Sequence, residues 1–419
     1  MAVSISQSRL QKKNLTQVSS DPIVPLWNQD KGSNNRLYFG DNLNILQLLS
    51  QEPNVHNSVQ LIYIDPPYAT GGVFQTRSME EAYSDTLQGD DYLDFMRKRL
   101  ELLYGLLADN GSIFLHLDSI MVFHVKVMMD EIFGNGKFRG MITRQKCKPK
   151  NYTRKTFGNI SDYILYYSKT DSPVWNRPYE DWTEDKIKKE YPYIDEANGV
   201  RHKRVPLHAP GIRNGATGQA WRNMLPPPGK HWQYTPDKLD AMDANNEIYW
   251  SSNGNPRRKV LFDENKGVPV QDIWLDYLDV NNQNTKTTGY PTEKNPMILQ
   301  RIIEAATNKG DLVLDCFAGS GTTLAVASTL NRRWIGIDSS QIAIRTILNR
   351  FYSGLQPLGD FVGREQPSQS QTSLFGEAND NGAAAQHPGD SIISDFAFYG
   401  TLESRDLFNT ELTRLTVAG

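Results

Sequence analysis

"DLVLDCFAGSGTT" occupies residues 311–323. Its apolar start reads as a buried strand that delivers Asp315 into a turn carrying Gly319 and Gly321, after which Thr322 or Thr323 can open a helix. Glycines at such a turn let the backbone come close to a partner, and its free amides suit a nucleotide or a carboxylate-bearing ligand. A phosphate loop is excluded because no lysine stands where the helix starts. The dinucleotide pattern also fails, since Leu324 sits at its third glycine position. Taken alone, the stretch reads equally well as a tight strand-to-helix connection.

The next strand, "RRWIGIDSS" at 332–340, ends on Asp338. An acid there can accept hydrogen bonds from ribose hydroxyls, or it can cap the following helix. A second strand of similar shape, "VQLIYIDPPYAT" at 59–70, ends on Asp65, Pro66, Pro67 and Tyr68. The prolines have no amide hydrogen, so this turn offers acceptors without competing donors. A planar group with an exocyclic NH₂ could donate to the Asp65 carboxylate and the Pro66 carbonyl while stacking on Tyr68. A polyproline-type ligand is the weaker reading, because this segment ends an apparent core strand and would be poorly exposed.

Strand and helix patterns alternate around these turns. "RLYF" leads through Gly40 and Asp41 into a helix with Leu43, Leu46 and Leu49. Asp91–Leu107 places Leu93, Met96, Leu100, Leu103 and Leu107 on one helical face, and "GSIFLHL" at 111–117 follows as a strand. "MVFHVKVMMDEIFG" reads as another helix and "SDYILYYSK" as another strand; from Asn295 the same rhythm resumes through helix, strand, helix, strand and helix to Phe351. This order argues for an α/β sheet with helices on its faces. His116 and His124 fall in or near that core, where packing is the commoner role, and no spacing marks a metal site.

The spacing divides the chain into a loose N-terminal arm (1–34), one α/β half (35–169), an inserted region rich in Trp, Tyr, Pro, Asn and Gly (170–290), a second α/β half (291–352) and a linker with an accessory tail (353–419). Thin composition is clearest at 364–390, whereas 391–419 regains Phe396, Phe398, Phe408 and Leu412. A net charge of −3 carries no global nucleic-acid signature, so local charge must carry that argument. Residues 139–158 supply it, with Arg144, Lys146, Lys148, Lys150, Arg154 and Lys155 and no acid. Two cysteines, no export signal and no membrane-length apolar run fit a cytoplasmic chain without disulfides.

"DPPY" at 65–68 and "DCFAGSGTT" at 315–323, with "GDNLNILQLL" at 40–49, "GYPTEKNPMILQRIIEAA" at 289–306 and "GIDSS" at 336–340, closely resemble the amino-group DNA methyltransferases that use S-adenosylmethionine. The catalytic motif precedes the cofactor motif, as in the circularly permuted class that includes type III modification subunits and many solitary enzymes. The resemblance covers most of residues 35–351. It implies a seven-stranded Rossmann-like methyltransferase fold with an inserted target-recognition region. Asp65, Pro66, Pro67 and Tyr68 would be catalytic. Asp315, Phe317, Ala318, Gly319, Gly321 and Thr322 would cradle the cofactor, Asp338 its ribose and Asp41 its adenine end, with Thr292, Glu293 and Lys294 in a flanking segment. The family commonly follows that lysine directly with proline; here Asn295 intervenes before Pro296, and the contact of Lys294 is left open.

The implied reaction is methylation of adenine N6 in double-stranded DNA on a base flipped from the helix, with cytosine N4 as the alternative. Amino-group methylation of RNA or protein, and a catalytically silent DNA-binding scaffold, are the competing readings. The basic stretch 139–158 is expected to meet phosphates, and 170–290, through Trp221, Arg222, Arg257, Arg258 and Lys259, to choose the sequence. A homodimer and a restriction-system partner are both compatible with the resemblance.

Overall fold

The computed structural model describes residues 22–68, 73–75, 81–84, 89–149, 155–196, 198–279, 287–291, 293–355 and 392–418. Lys150, Arg154 and Thr292, with the thin segment 364–390, lie outside the described residues. The chain divides into two compact units, one of residues 1–178 with 271–419 and one spanning Tyr179–Val270.

The larger unit is built on a ten-stranded sheet. In chain order its strands are β1 (Val24–Asn28), β2 (Arg36–Phe39), β3 (Val59–Ile64), β4 (Leu107–Leu117), β5 (Phe138–Gln145), β6 (Ser161–Ser168), β7 (Ile273–Trp274), β8 (Leu312–Asp315), β9 (Arg333–Asp338) and β10 (Ala397–Gly400). Across the sheet they lie β1-β10-β2-β9-β8-β3-β4-β6-β5-β7. The run from β10 to β4 is parallel, and β6 is antiparallel to both of its neighbours. Every residue of β3 and β8 is buried, as expected for central parallel strands covered on both faces. Gln60, the polar member of β3, donates from Nε2 to the Asn110 carbonyl at 2.7 Å.

The seven strands β2-β9-β8-β3-β4-β6-β5 form the expected methyltransferase sheet, and three further strands extend it. All three differ from the sequence expectation, β7 because Ile273–Trp274, read as part of the inserted region 170–290, belongs instead to the large sheet. Val24–Asn28, read as part of a loose arm, is the edge strand β1. Ala397–Gly400, read as part of an accessory tail, is β10, inserted between β1 and β2. Such short strands have too few residues to show clear alternation, and they are held by long-range pairing and by the buried Phe396, Phe398 and Phe408. Strand β7, which pairs parallel with β5, extends the opposite edge.

The helices begin where their caps dictate. Asp41 caps α1 (Asn42–Gln51) by accepting from the amides of Leu43 and Asn44. Helix α2 (Gly89–Leu106) buries Met96, Leu100 and Leu103, and α3 (Val122–Phe133) buries Val125, Met128 and Met129. At α4 (Pro296–Ala306) the departure from the family pattern has a structural reason: Asn295 is the N-cap, accepting from the Met297 amide, and Pro296 takes the first turn. Gly321 precedes α5 (Thr322–Thr329), and Ser340 caps α6 (Gln341–Ser353) through the Ala343 amide. A last helix, α7, spans Asn409–Ala418.

Chain direction across the sheet reverses around β8: the chain leaves through α5 to β9 on one side, while β3 lies on the other. In an open parallel sheet the crevice at the carboxyl ends of such strands is where ligands settle. Asp65, Asp315 and Asp338 stand at the carboxyl ends of β3, β8 and β9.

The smaller unit holds a four-stranded antiparallel sheet of Tyr193–Ile194, Arg201–Pro206, Pro256–Leu261 and Ile248–Trp250, in that spatial order. Beside it Leu207, Trp221, Trp232, Leu239, Met242 and Ile248 make a core of their own.

Candidate active site

A cavity of about 660 Å³ opens at the carboxyl ends of β3, β8 and β9. Its lining brings together Asp65, Pro66, Pro67 and Tyr68 from the turn after β3 with Asp315, Phe317, Ala318, Gly319 and Thr322 from the turn after β8. Asp41, Glu293, Lys294 and Asp338 also line it. Residues separated by some 250 positions in the chain thus share one pocket because β3 and β8 are adjacent parallel strands.

The glycine turn is held from within. Asp315 accepts from the Phe317 amide at 3.0 Å and the Thr323 hydroxyl at 2.6 Å, and Asp338 Oδ2 accepts from the Gly319 amide at 2.8 Å. The other oxygen of Asp338 takes the Ser340 amide at 2.8 Å, while Ser340 itself caps α6. Asp338 therefore braces the turn and is not the helix cap. Gly321 has φ +73° and a Cβ there would lie 2.8 Å from Ile347 Cγ1, so the position excludes any side chain on both counts. Gly319, with φ +51°, packs its α-carbon face against the Tyr290 ring, which a Cβ would meet at 3.4 Å.

On the opposite wall the Tyr68 hydroxyl donates to Asp65 Oδ1, and Lys294 Nζ lies 2.8 Å from Asp65 Oδ2 and 3.1 Å from the Tyr68 oxygen. The role of Asn295 follows: by capping α4 it directs the preceding lysine to the Asp65 carboxylate. Glu293 turns the other way, accepting from the Thr288 amide at 2.9 Å and hydroxyl at 2.7 Å, with Arg350 3.6 Å from its second oxygen.

The lining carries five acids (Asp41, Asp65, Glu293, Asp315 and Asp338) against two cations (Arg99 and Lys294). Burial pushes the Asp315 carboxyl up to about 7, aided by the nearby charges of Asp65 and Asp338 and opposed by its two hydrogen bonds. Burial likewise raises Asp338 to about 6 despite the backbone amides it accepts. The Tyr68 phenol is driven well above its usual value by burial and then by the Asp65 charge, so it stays a protonated donor. Such a pocket favours a cationic ligand that also offers hydroxyl donors.

Residues 59–349 match the N6_N4_Mtase family, described as DNA methylase. The chain belongs to this DNA methylase family. Over 340 residues it is 47% identical to the type II methyltransferase M.EcaI of Enterobacter cloacae, covering 81% of this chain and 74% of that protein. It is 30% identical over 363 residues to the type III restriction-modification enzyme StyLTI Mod subunit of Salmonella typhimurium, covering 76% of this chain and 54% of that subunit. Among solved structures, the M1.HpyAVI–SAM complex aligns with a TM-score of 0.42 at 17% identity, covering 75% of this chain and 98% of that one.

Arg99 also lines the cavity, a position that sequence reading passed over. Arg99 of α2 is buried, donates from Nε to Asn42 at 2.6 Å, lies over the Phe95 ring at 3.4 Å and reaches Asp41 at 3.3 Å. Asn42 in turn donates to the Cys316 carbonyl at 2.8 Å, tying α1 and α2 to the glycine turn. The available signal was an arginine three positions after Met96, on the apolar face of the helix.

Several residues expected at DNA are structural instead. Arg144 is fully buried, donating to Asp162 at 2.8 Å and to Asp279 at 2.7 Å, at the point where β5 is paired on both sides, with Asp162 of β6 and Trp274 of β7. His116 extends this network toward the pocket: its Nδ1 shares a 2.9 Å hydrogen bond with the Tyr63 hydroxyl, and its Nε2 lies 2.9 Å from Asp162. Trp221 is a core residue, stacked on Trp250 and hydrogen-bonded to Asp240 at 2.9 Å, and the adjacent Arg222 is ion-paired with Asp240 and Asp243. Lys148 and Lys155 are exposed and Lys146 is half-buried. Among Arg257, Arg258 and Lys259, only Arg257 is exposed; Arg258 donates to the Tyr234 hydroxyl at 2.7 Å, and Lys259 pairs with Asp195 at 2.9 Å.

Proposed function

We propose that this methylase transfers a methyl group from S-adenosylmethionine to the N6 amino group of adenine in double-stranded DNA, acting on a base flipped into the pocket. The observation that carries the reading is the shared cavity in which the Asp65–Tyr68 turn faces the Asp315–Gly319–Asp338 turn.

The pocket fits the cofactor by its chemistry. A sulfonium and an ammonium suit its acid-rich lining, a ribose diol suits Asp338, and the bare Gly319 backbone lines the cavity beside Tyr290, where a side chain would take up space a methionine portion could use. Asp315, Phe317, Ala318, Gly319, Thr322 and Asp338 would hold it, with Asp41, Glu293 and Lys294 completing the walls. When bound, it supplies an electrophilic methyl on a sulfonium leaving group.

An aromatic amino nitrogen is a poor nucleophile because its lone pair is delocalised into the ring. Asp65 and the Pro66 carbonyl accept its two hydrogens and favour a more tetrahedral nitrogen, whose lone pair then points at the methyl group. The Tyr68 hydroxyl and Lys294 fix the orientation of the Asp65 carboxylate. An ionised carboxylate offers about four acceptor sites, so it still takes the incoming amino hydrogen. Asp65 is also the adjacent acceptor for the proton that the methylated nitrogen sheds. Alignment of the reacting atoms carries most of the acceleration.

The likeness to the StyLTI Mod subunit supports a role as the modification partner of a restriction activity. Among the described residues no helix is long and apolar enough to cross a membrane. Undermethylated duplex DNA incubated with labelled cofactor and digested to nucleosides tests the assignment: label in N6-methyl-2′-deoxyadenosine is expected, and label confined to N4-methyl-2′-deoxycytidine would reassign the base.

A further inference from the structure

The sheet of the smaller unit has two unlike faces, fixed by its register. Opposite partners across an antiparallel pair share a face, so Tyr193, His202, Arg204, Tyr249, Arg257 and Lys259 lie on one side. Ile248, Trp250 and Arg258 lie on the other, against the tryptophan-rich core, where Arg258 is pinned to Tyr234.

On the first face the Arg204 guanidinium is clamped between two rings, 3.6 Å from the Tyr193 centroid and 3.4 Å from that of Tyr249. Two aromatic rings at contact distance restrict the guanidinium, and the residue remains half-buried. Among the described residues the one acceptor it meets is His202 Nε2, a weak contact at 3.5 Å. Among the same residues neither Arg204 nor the exposed Arg257 has a carboxylate within ion-pair distance, whereas Arg36, Arg97 and Arg139 are each neutralised by one. The two strands that carry them, "RHKRVP" and "PRRKVL", contain no acid.

We propose that this face is a contact surface for the phosphodiester backbone of duplex DNA, with Arg204 as a preorganised bidentate donor and Arg257 as its neighbour. A planar guanidinium fork matches two phosphate oxygens, and a side chain already immobilised loses little further freedom on binding. The local excess of positive charge supplies the long-range attraction. The inference rests on the DNA reading above and adds to it where the duplex is held.

The test uses the full chain and a fluorescently labelled duplex of mixed sequence, with anisotropy titrations over a range of salt concentrations. Arg204→Gln and Arg257→Gln should each weaken binding roughly tenfold or more, as expected for a charge-assisted contact. The slope of log affinity against log salt should fall by about 0.9 for each phosphate that is no longer neutralised. Cofactor affinity by calorimetry and the methylated sequence should match wild type. Arg204→Lys, which keeps the charge and loses the fork, should retain the slope while losing affinity. Melting temperatures identify any variant that fails to fold, and Arg257→Gln, at an exposed position, then carries the test. Wild-type affinity and slope in that variant would overturn the proposal, as would a changed methylated sequence with an unchanged slope. If wild type itself bound no duplex and modified RNA, the DNA reading would fall; if wild type bound and methylated duplex while both variants matched it, only this surface would.

Discussion

Asp315→Asn should make the protein more stable above neutral pH while abolishing the function its pocket serves. The Asp315 side chain is buried, and its carboxyl is raised from 3.8 to about 7. Below the unfolded value both states hold the proton and the group has no effect on stability. Between 3.8 and about 7 the folded state binds more protons, so stability falls as pH rises, and above about 7 the full penalty of a buried charge is present. At 1.36 kcal/mol per pKa unit, the interval amounts to a penalty on the order of 4 kcal/mol. Asparagine keeps the shape: its carbonyl can accept from the Phe317 amide, and the Thr323 hydroxyl can rotate to accept from the new NH₂. Urea unfolding followed by circular dichroism should therefore show the variant's advantage over wild type growing from pH 5 to about 7 and staying constant from there to pH 8.5. Calorimetry should show cofactor binding lost, because the cation-favouring charge is gone. A variant equally or less stable than wild type at pH 8 would refute the reasoning. In wild type the same linkage makes cofactor affinity drop as pH falls below about 7, with proton release on binding visible as buffer-dependent heat.

Asp65→Ala should reduce single-turnover methyl transfer by at least about a hundredfold, the usual scale for a positioned polar group, while cofactor binding persists; near-normal transfer would remove the catalytic role assigned to it. Gly321→Val forces a β-branched residue into a left-handed conformation and against Ile347, a combined penalty of about 2–5 kcal/mol that should appear as a lowered melting temperature and a weakened cofactor site. Truncation after Tyr352 removes β10 together with the buried Phe396, Phe398 and Phe408. At about 3–5 kcal/mol per buried aromatic, that loss matches or exceeds a typical domain's whole stability, so no cooperative thermal transition is expected; a truncated protein that melted like the full chain would contradict the sheet order.

The sequence alone was enough for the α/β rhythm and the two turns, because buried parallel strands write continuous apolar runs and a left-handed turn writes glycine. Asp65 and Asp315 were legible for that reason: each is an acid at the end of an apolar run. The DNA methylase family followed from the order of the motifs. Only the tertiary structure decided what each charge faces. Arg144 and Lys148 look alike in a basic stretch, yet one is buried against Asp162 in the sheet and the other is exposed, a difference set by strand pairing that charge density does not encode. Lys294 meets Asp65 because Asn295 starts α4, and Arg99 meets Asp41 across two helices; both contacts join residues far apart in the chain. The strands Val24–Asn28 and Ala397–Gly400 are too short to announce themselves locally, and they exist because each completes the other's hydrogen bonds at the edge of a sheet already formed.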